Sequence, residues 1–98
     1  MKMNNRDKTI EKLKKCIEQL NKVRVDNDVS VLSISSPEQI GRFINVFEVA
    51  LHKLLTNNMP PKNERSLGIA QLVADQWPFD LELASIIIDA EQSYKKYN

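Results

Sequence analysis

The stretch SPEQIGRFINVFEVALHKLL, residues 36–55, decides the fold because it carries both a helix start signal and a broad apolar face. Ser36 is a favourable N-cap, Pro37 suits the first helical position, and Gln39 is placed to complete a capping box. Large apolar side chains follow at helical spacing, with Ala50 beside them: Ile40, Phe43, Ile44, Phe47, Leu51, Leu54 and Leu55. A face this broad is typical of a helix with several neighbours. The prolines at 60 and 61 require the helix to end near residue 56.

Three more segments have the apolar periodicity of a helix. The first, about residues 6–24, carries one narrow stripe: Ile10, Leu13, Ile17 and Leu20. The third helix is predicted over about residues 64–77, with Gly68 in its first turn and Pro78 at its end. The fourth is predicted over about residues 81–96, with Asp80 as N-cap and Phe79 as a hydrophobic staple. The link between the last two helices is short, so we expect an antiparallel pair.

Residues 25–35 interrupt the helical pattern. β-Branched residues at every second position, such as Val29 and Val31, are typical of extended chain. Two structures fit this segment: a long connection whose valines pack on the core, or a small hairpin that turns at residues 26–28. We favour the connection, because an isolated two-stranded hairpin is only marginally stable.

The composition is that of one small domain without a disulfide or a membrane span. The chain has 98 residues, of which 42% are hydrophobic and 28% charged. Cys16 is the only cysteine, which excludes an internal disulfide. No apolar run approaches the roughly 18 residues of a membrane span, and the first residues are too polar for a signal peptide. We therefore expect an all-α, four-helix bundle-like single domain over residues 1–98, in a reducing compartment that is most simply the cytoplasm.

The residue types that carry catalysis or bind metals are scarce. His52 is the only histidine, and with Glu48 one turn before it the helix lacks the second histidine of a zinc motif. Cys16 has no base near it in the sequence. Asp26-Asn27-Asp28 resembles the start of a calcium loop, but valine and proline stand where that loop needs glycine and a bidentate glutamate. The sequence therefore predicts no enzyme, no cofactor and no metal.

Charge is distributed unevenly along the chain. Residues 1–24 hold eight basic and three acidic side chains, a net charge of +5, whereas residues 25–94 hold four basic and ten acidic ones, a net charge of −6. Lys95 and Lys96 bring the total to +1. A helix-turn-helix through Trp77 and Phe79 would present an acidic recognition helix to DNA, which argues against nucleic-acid binding.

The region from Asp75 to Glu91 holds five acids and no basic residue. Aromatic side chains in the same stretch suggest a docking surface for a basic protein, with aromatic anchors and acids that steer the encounter. The candidate contact residues are Asp75, Trp77, Phe79, Asp80, Glu82 and Asp89. The alternative is that Trp77 and Phe79 cover the core and that the acids only keep the surface hydrated.

A small, helical, cytosolic domain without catalytic residues is similar to small helical bacterial immunity proteins and antitoxins, which often bind through acidic surfaces. That resemblance implies neutralisation of a cognate toxin by direct binding, with the acidic region covering the cationic groove of a nuclease-type toxin. Two other functions stay open. The narrow stripe on the first helix would suit a structural or adaptor protein that self-associates, and the basic first helix would suit a nucleic-acid-binding regulator.

Overall fold

The residues that predict helices form them, in a computed structural model that describes residues 4–78 and 80–97. The α-helices are α1 (Asn5–Asp26), α2 (Val29–Leu32), α3 (Pro37–Leu55), α4 (Ile69–Gln76) and α5 (Glu82–Lys96), and a 3-10 turn covers Lys62–Glu64. No strand occurs in the described part of the chain. The prediction of an all-α, bundle-like fold is confirmed, with one-turn α2 as an addition to the four expected helices.

α1 packs against both α3 and α5, and α4 packs against α5. The Arg6 Nη2 atom, near the start of α1, donates a hydrogen bond to the carbonyl of Leu55 at the end of α3, at 3.3 Å. Lys12, in the first half of α1, forms an ion pair with Asp89 in the middle of α5. Asn5 at the start of α1 and Tyr97 after the end of α5 line one surface pocket. The start of α1 therefore lies beside the ends of both neighbours, and α3 and α5 run antiparallel to α1.

The core is built from the predicted stripes. Its buried members include Leu13, Cys16, Leu20, Ile40, Phe47, Leu54, Val73, Ile87 and Tyr94. Leu51 is half-buried and Leu55 is exposed, so the broad face of α3 extends past the core at its C-terminal end. None of the described helices combines the length and the hydropathy required to cross a lipid bilayer.

The start of α3 matches the predicted N-cap but not the full capping box. The Ser36 side chain accepts a hydrogen bond from the Gln39 backbone N–H at 3.1 Å, and Pro37 is the first helical residue. The Gln39 side chain accepts a hydrogen bond from the Ser35 hydroxyl. The expected reciprocal bond of Gln39 is therefore replaced by a bond to the residue before the cap, which is itself buried.

The extended connection or hairpin predicted for residues 25–35 is wrong. α1 continues to Asp26, and Asn27 ends it in the left-handed conformation with φ of 51°. Asp28 then caps α2 by accepting a hydrogen bond from the Ser30 N–H at 3.0 Å. Val31 is buried whereas Val29 is 76% exposed. Residues two apart in a strand share one face, so the different burial of Val29 and Val31 does not fit a strand, and one helical turn is too short to show a period of 3.6 residues.

The predicted starts of the last two helices also differ from the structure. The third helix begins at Ile69 and not near residue 64, because Gly68 has φ of 77°, a left-handed conformation that interrupts a helix. Leu81, and not Asp80, occupies the N-cap position of α5, and it makes no side-chain capping bond. The staple predicted for Phe79 lies outside the described residues. α4 and α5 are antiparallel neighbours, as the short link between them predicts.

Candidate protein-interaction surface

The four acids among the predicted contact residues fall into three environments. Asp75 is exposed near the end of α4, and its carboxylate accepts a hydrogen bond from the Gln71 side chain at 3.0 Å. Asp80 and Glu82 are exposed where α5 begins. Asp89 lies two turns further along α5, about 10 Å away by helix geometry, and its carboxylate is 3.2 Å from the Lys12 ammonium. Asp89 therefore faces α1, separate from the acids at the start of α5.

Trp77 is part of the core. Its side chain is only 5% exposed, and its ring centroid lies 6.3 Å from that of Phe43 at a tilted angle. The Trp77 indole N–H is buried without a hydrogen-bond partner in the described structure. In this conformation the indole stabilises the contact between α3 and α4 and is not available as an aromatic anchor, and Phe79 lies outside the described residues.

Glu91, one of the five acids counted from the sequence, is buried. Its carboxylate accepts hydrogen bonds from the backbone N–H groups of Leu67, Ile69 and Ala70 at 3.0, 3.1 and 2.7 Å. These N–H groups precede or begin α4, where Gly68 supplies no capping side chain. The sequence contains a signal for this burial, because Glu91 follows Ile87 by one turn on the apolar stripe of α5.

Arg65 is also used inside the protein. It is buried, its Nε–H donates a hydrogen bond to the Pro60 carbonyl at 2.8 Å, and its Nη1 donates to the Tyr97 carbonyl. Arg65 thus holds the loop between α3 and α4 against the end of α5. Because the buried side chains of Arg65 and Glu91 form internal hydrogen bonds, the surface carries one basic and one acidic group fewer than the sequence count suggests.

A groove at the end of α1 gathers acids that the sequence analysis did not connect. This groove, called here the Val31 groove, has a volume of about 280 Å³ and lies between α1, α2 and the start of α5. Its apolar lining comprises Val23, Val31, Leu81, Leu83 and Ile86, and its polar lining comprises Lys15, Gln19, Lys22, Asp26, Asp28 and Glu82. Three carboxylates from three elements therefore meet around one apolar floor, which no local sequence pattern could reveal.

Two apolar side chains are exposed beside these acids. Val25 is 80% exposed and Val29 is 76% exposed, the highest values among the large hydrophobic residues described as exposed. They are the chain neighbours of Asp26 and Asp28. Asp26 also ends α1, where the helix dipole disfavours a carboxylate. Val25, Val29 and Asp26 therefore contribute little to the stability of the fold at these positions.

A second groove lies between α1 and α3 and is called here the Leu51 groove. It is lined by Lys14, Ile17, Glu18, Glu48, Leu51, His52 and Leu55, with a volume of about 340 Å³. His52 and Glu48 are exposed on its rim. Within the described residues, no group of three or more side chains of the types that bind metals comes together, and Glu48 with His52 makes only a pair.

Cys16 lies on the inner face of α1 and is fully buried. Burial raises the pKa of its thiol to about 12, because the charged thiolate is poorly solvated inside the core. A thiol of this kind stays protonated near neutral pH and is not activated as a nucleophile. No known protein family model matches the chain, and no curated protein matches it either.

Proposed function

We propose that this protein is a binding module that captures a partner protein with a basic surface through the Val31 groove and its rim. The observation that carries the proposal is the exposure of Val25 and Val29, the chain neighbours of Asp26 and Asp28 in the groove lining, at positions where the fold does not require them. Side chains that break local rules without a structural gain are expected at functional sites. Exposed apolar residues beside carboxylates provide contact area together with charge.

The three carboxylates of the Val31 groove, which we call its rim, would select a basic partner. Asp26, Asp28 and Glu82 attract cations over a distance comparable to the Debye length, about 8 Å at physiological salt. A lysine or arginine side chain that enters the groove places its aliphatic stem against Val31 and its charge at the rim. Lys15 and Lys22 line the same groove, so the basic groups of a partner compete with them for the carboxylates.

The biological role we infer is that of a bacterial immunity protein or antitoxin, with a toxin domain as partner. The support is the resemblance in size, helicity and absence of catalytic residues, together with the carboxylates around the Val31 groove, which suit a cationic protein. Such a protein acts by stoichiometric binding and needs no catalytic group. The proposal places the chain in the cytoplasm, where a single unpaired cysteine remains reduced.

The test is capture of a partner by the immobilised chain from an extract of its native host. We expect the wild-type chain to retain one basic protein and the double variant Asp26→Lys/Glu82→Lys to lose it. The control is Glu48→Lys/Glu64→Lys, which makes the same change in charge at exposed positions outside the groove. Circular dichroism shows whether each variant is folded, and the Glu82 change at the start of α5 costs less than about 1 kcal/mol.

Equal capture by both double variants would refute the assignment of the surface. Capture of an acidic protein would refute the proposed partner class. Retention that does not weaken as salt is raised would show that charge does not guide the encounter.

Self-association is a second candidate function, and the Leu51 groove favours it. Leu55 is 44% exposed there, and Ile17 and Leu51 are half-buried. A second copy would cover these side chains, and the groove offers both Lys14 and Glu48 for ion pairs with it. Light scattering during size exclusion decides this candidate, since a monomer at high concentration would exclude it.

A further inference from the structure

A pocket at the other end of α1 from the Val31 groove is lined by basic and not by acidic side chains. It lies between the first turns of α1 and the last turns of α5, has a volume of about 200 Å³, and is called here the Thr9 pocket. Its lining comprises Asn5, Lys8, Thr9, Lys12, Ser93, Lys96 and Tyr97. None of these residues lines the Val31 groove, so the two sites are separate.

We propose that the Thr9 pocket binds a small anion of the phosphate type, either free phosphate or the phosphate group of a small phosphomonoester. Three lysines from two helices line it, namely Lys8, Lys12 and Lys96. The Asp89 carboxylate pairs with Lys12 at its edge. Three ammonium groups and one carboxylate leave a local charge of +2, which matches a phosphomonoester dianion.

Thr9 shows that the pocket has a built polar wall and is not only a group of surface lysines. Its side chain is just 4% exposed, and no hydrogen bond from its hydroxyl to another described residue is present. The hydroxyl is also not among the fully enclosed side-chain atoms that lack a partner. The hydroxyl is therefore not fully enclosed, and because Thr9 lines the pocket, it is placed to donate to a ligand oxygen there.

The remaining lining groups are donors that suit an oxyanion. Ser93 adds a second hydroxyl from the α5 side, and Asn5 is the first residue of α1, where backbone N–H groups lack intrahelical acceptors. The ion pair with Asp89 does not exhaust Lys12, because an ammonium group has further N–H donors. A phosphate group in the pocket would thus meet charge from two helices and hydroxyls from both walls.

The experiment is an NMR titration of the ¹⁵N-labelled chain with inorganic phosphate and, separately, with the phosphomonoester glycerol phosphate, at low ionic strength and against sodium chloride as the ion control. We expect the amide signals of Thr9, Lys12 and Ser93 to shift with phosphate and not with chloride. The double variant Lys8→Gln/Lys96→Gln should weaken binding about tenfold or more, since each charge-assisted hydrogen bond carries a large share of the affinity.

Two further variants separate a built site from general attraction. Thr9→Val keeps a β-branched side chain and removes only the hydroxyl, and it should weaken phosphate binding roughly fivefold. Arg42→Gln/Lys53→Gln removes the same two positive charges at exposed positions of α3, outside the pocket, and should leave the affinity unchanged. Thermal unfolding of each variant verifies that the fold is intact.

Three results would overturn the proposal. Equal loss in Lys8→Gln/Lys96→Gln and in Arg42→Gln/Lys53→Gln would indicate an unspecific electrostatic effect. An unchanged affinity in Thr9→Val would show that the Thr9 hydroxyl does not contact the ligand. A single strand of about ten nucleotides that binds more tightly than glycerol phosphate and depends equally on Arg42 and Lys53 would indicate an extended polyanion surface. None of these variants touches the Val31 groove, so the outcome is independent of the proposed partner binding.

Discussion

At the scale of single residues, burial decides what the titratable side chains do. Cys16 has no described hydrogen bond, and burial raises the pKa of its thiol from 9.0 to about 12. Between those two pH values the unfolded chain releases the thiol proton and the native chain keeps it. The native state then binds more protons than the unfolded state, so this group makes the free energy of unfolding fall as the pH rises.

The variant Cys16→Ala isolates this effect. Between pH 9 and pH 12, the free energy of unfolding of the wild-type chain should fall more steeply than that of the variant, by up to about 1.4 kcal/mol per pH unit. Urea unfolding at a series of pH values measures both slopes. The variant starts from a lower stability because it loses a buried atom, but that loss does not depend on pH. Parallel pH profiles would contradict the prediction.

At the scale of helices, α4 depends on a side chain from α5. α4 has only eight residues and no capping side chain of its own, which makes it marginal as an isolated helix. The Glu91 carboxylate satisfies three N–H groups at its start. This bond set also fixes the distance between the two helices, so Glu91 is both a cap and a tertiary contact.

Glu91→Gln should lower the free energy of unfolding by about 2 kcal/mol or more, because one amide oxygen cannot replace a carboxylate and the amide NH₂ opposes N–H donors. Urea unfolding measures the loss, and hydrogen exchange should be faster for the amides of Ile69–Gln76. The control is Asp89→Asn on the same helix, where an exposed ion pair is worth less than about 1 kcal/mol. Similar losses in both variants would show that Glu91 does not cap α4.

The same helices show how much of the structure is readable from sequence. Ser36 and Pro37 predict the start of α3 because an N-cap acts within one turn, and apolar periodicity identifies α1 and α5 over many turns. The late start of α4 depends on the backbone angle of Gly68, and its cap comes from a residue more than 20 positions away. Contacts of that kind have no local pattern.

In the candidate sites, too, sequence reasoning identified features that depend on single residues and missed those that depend on contacts between distant helices. The predicted acids Asp80 and Glu82 are on the surface, as their charge suggests, whereas Trp77 and Glu91 are internal. Asp26 and Asp28 join Glu82 only because α1 and α5 are antiparallel. Sequence reasoning assigned residues 26–28 to a turn and so did not include them in the acidic surface.

At the scale of the whole molecule, the antiparallel arrangement of the helices places most acids near the end of α1 and several lysines near its start. The end of α1 meets the starts of α3 and α5, where acids predominate: Asp26, Asp28, Glu38, Asp80 and Glu82. Two basic residues lie at this end too: the Arg24 guanidinium is beside Gly41 on the α3 side, away from the Val31 groove, and Lys22 lines the groove. The start of α1 meets the ends of α3 and α5, where Lys8, Lys53 and Lys96 lie. A net charge of +1 therefore conceals two ends of opposite preference.

Cationic and anionic probes should consequently act on different ends of one molecule. In an NMR titration with hexalysine, the amide signals of Asp26, Asp28 and Glu82 should shift, with a dissociation constant on the order of 1 mM, while those of Asn5 and Thr9 stay in place. The shifts should disappear in about 1 M salt, where the Debye length is about 3 Å. Asp26→Lys/Glu82→Lys should abolish them, and Glu48→Lys/Glu64→Lys should not. Shifts spread evenly over all exposed carboxylates would mean that the acids act individually, because only a shared field at the end of α1 concentrates the probe there.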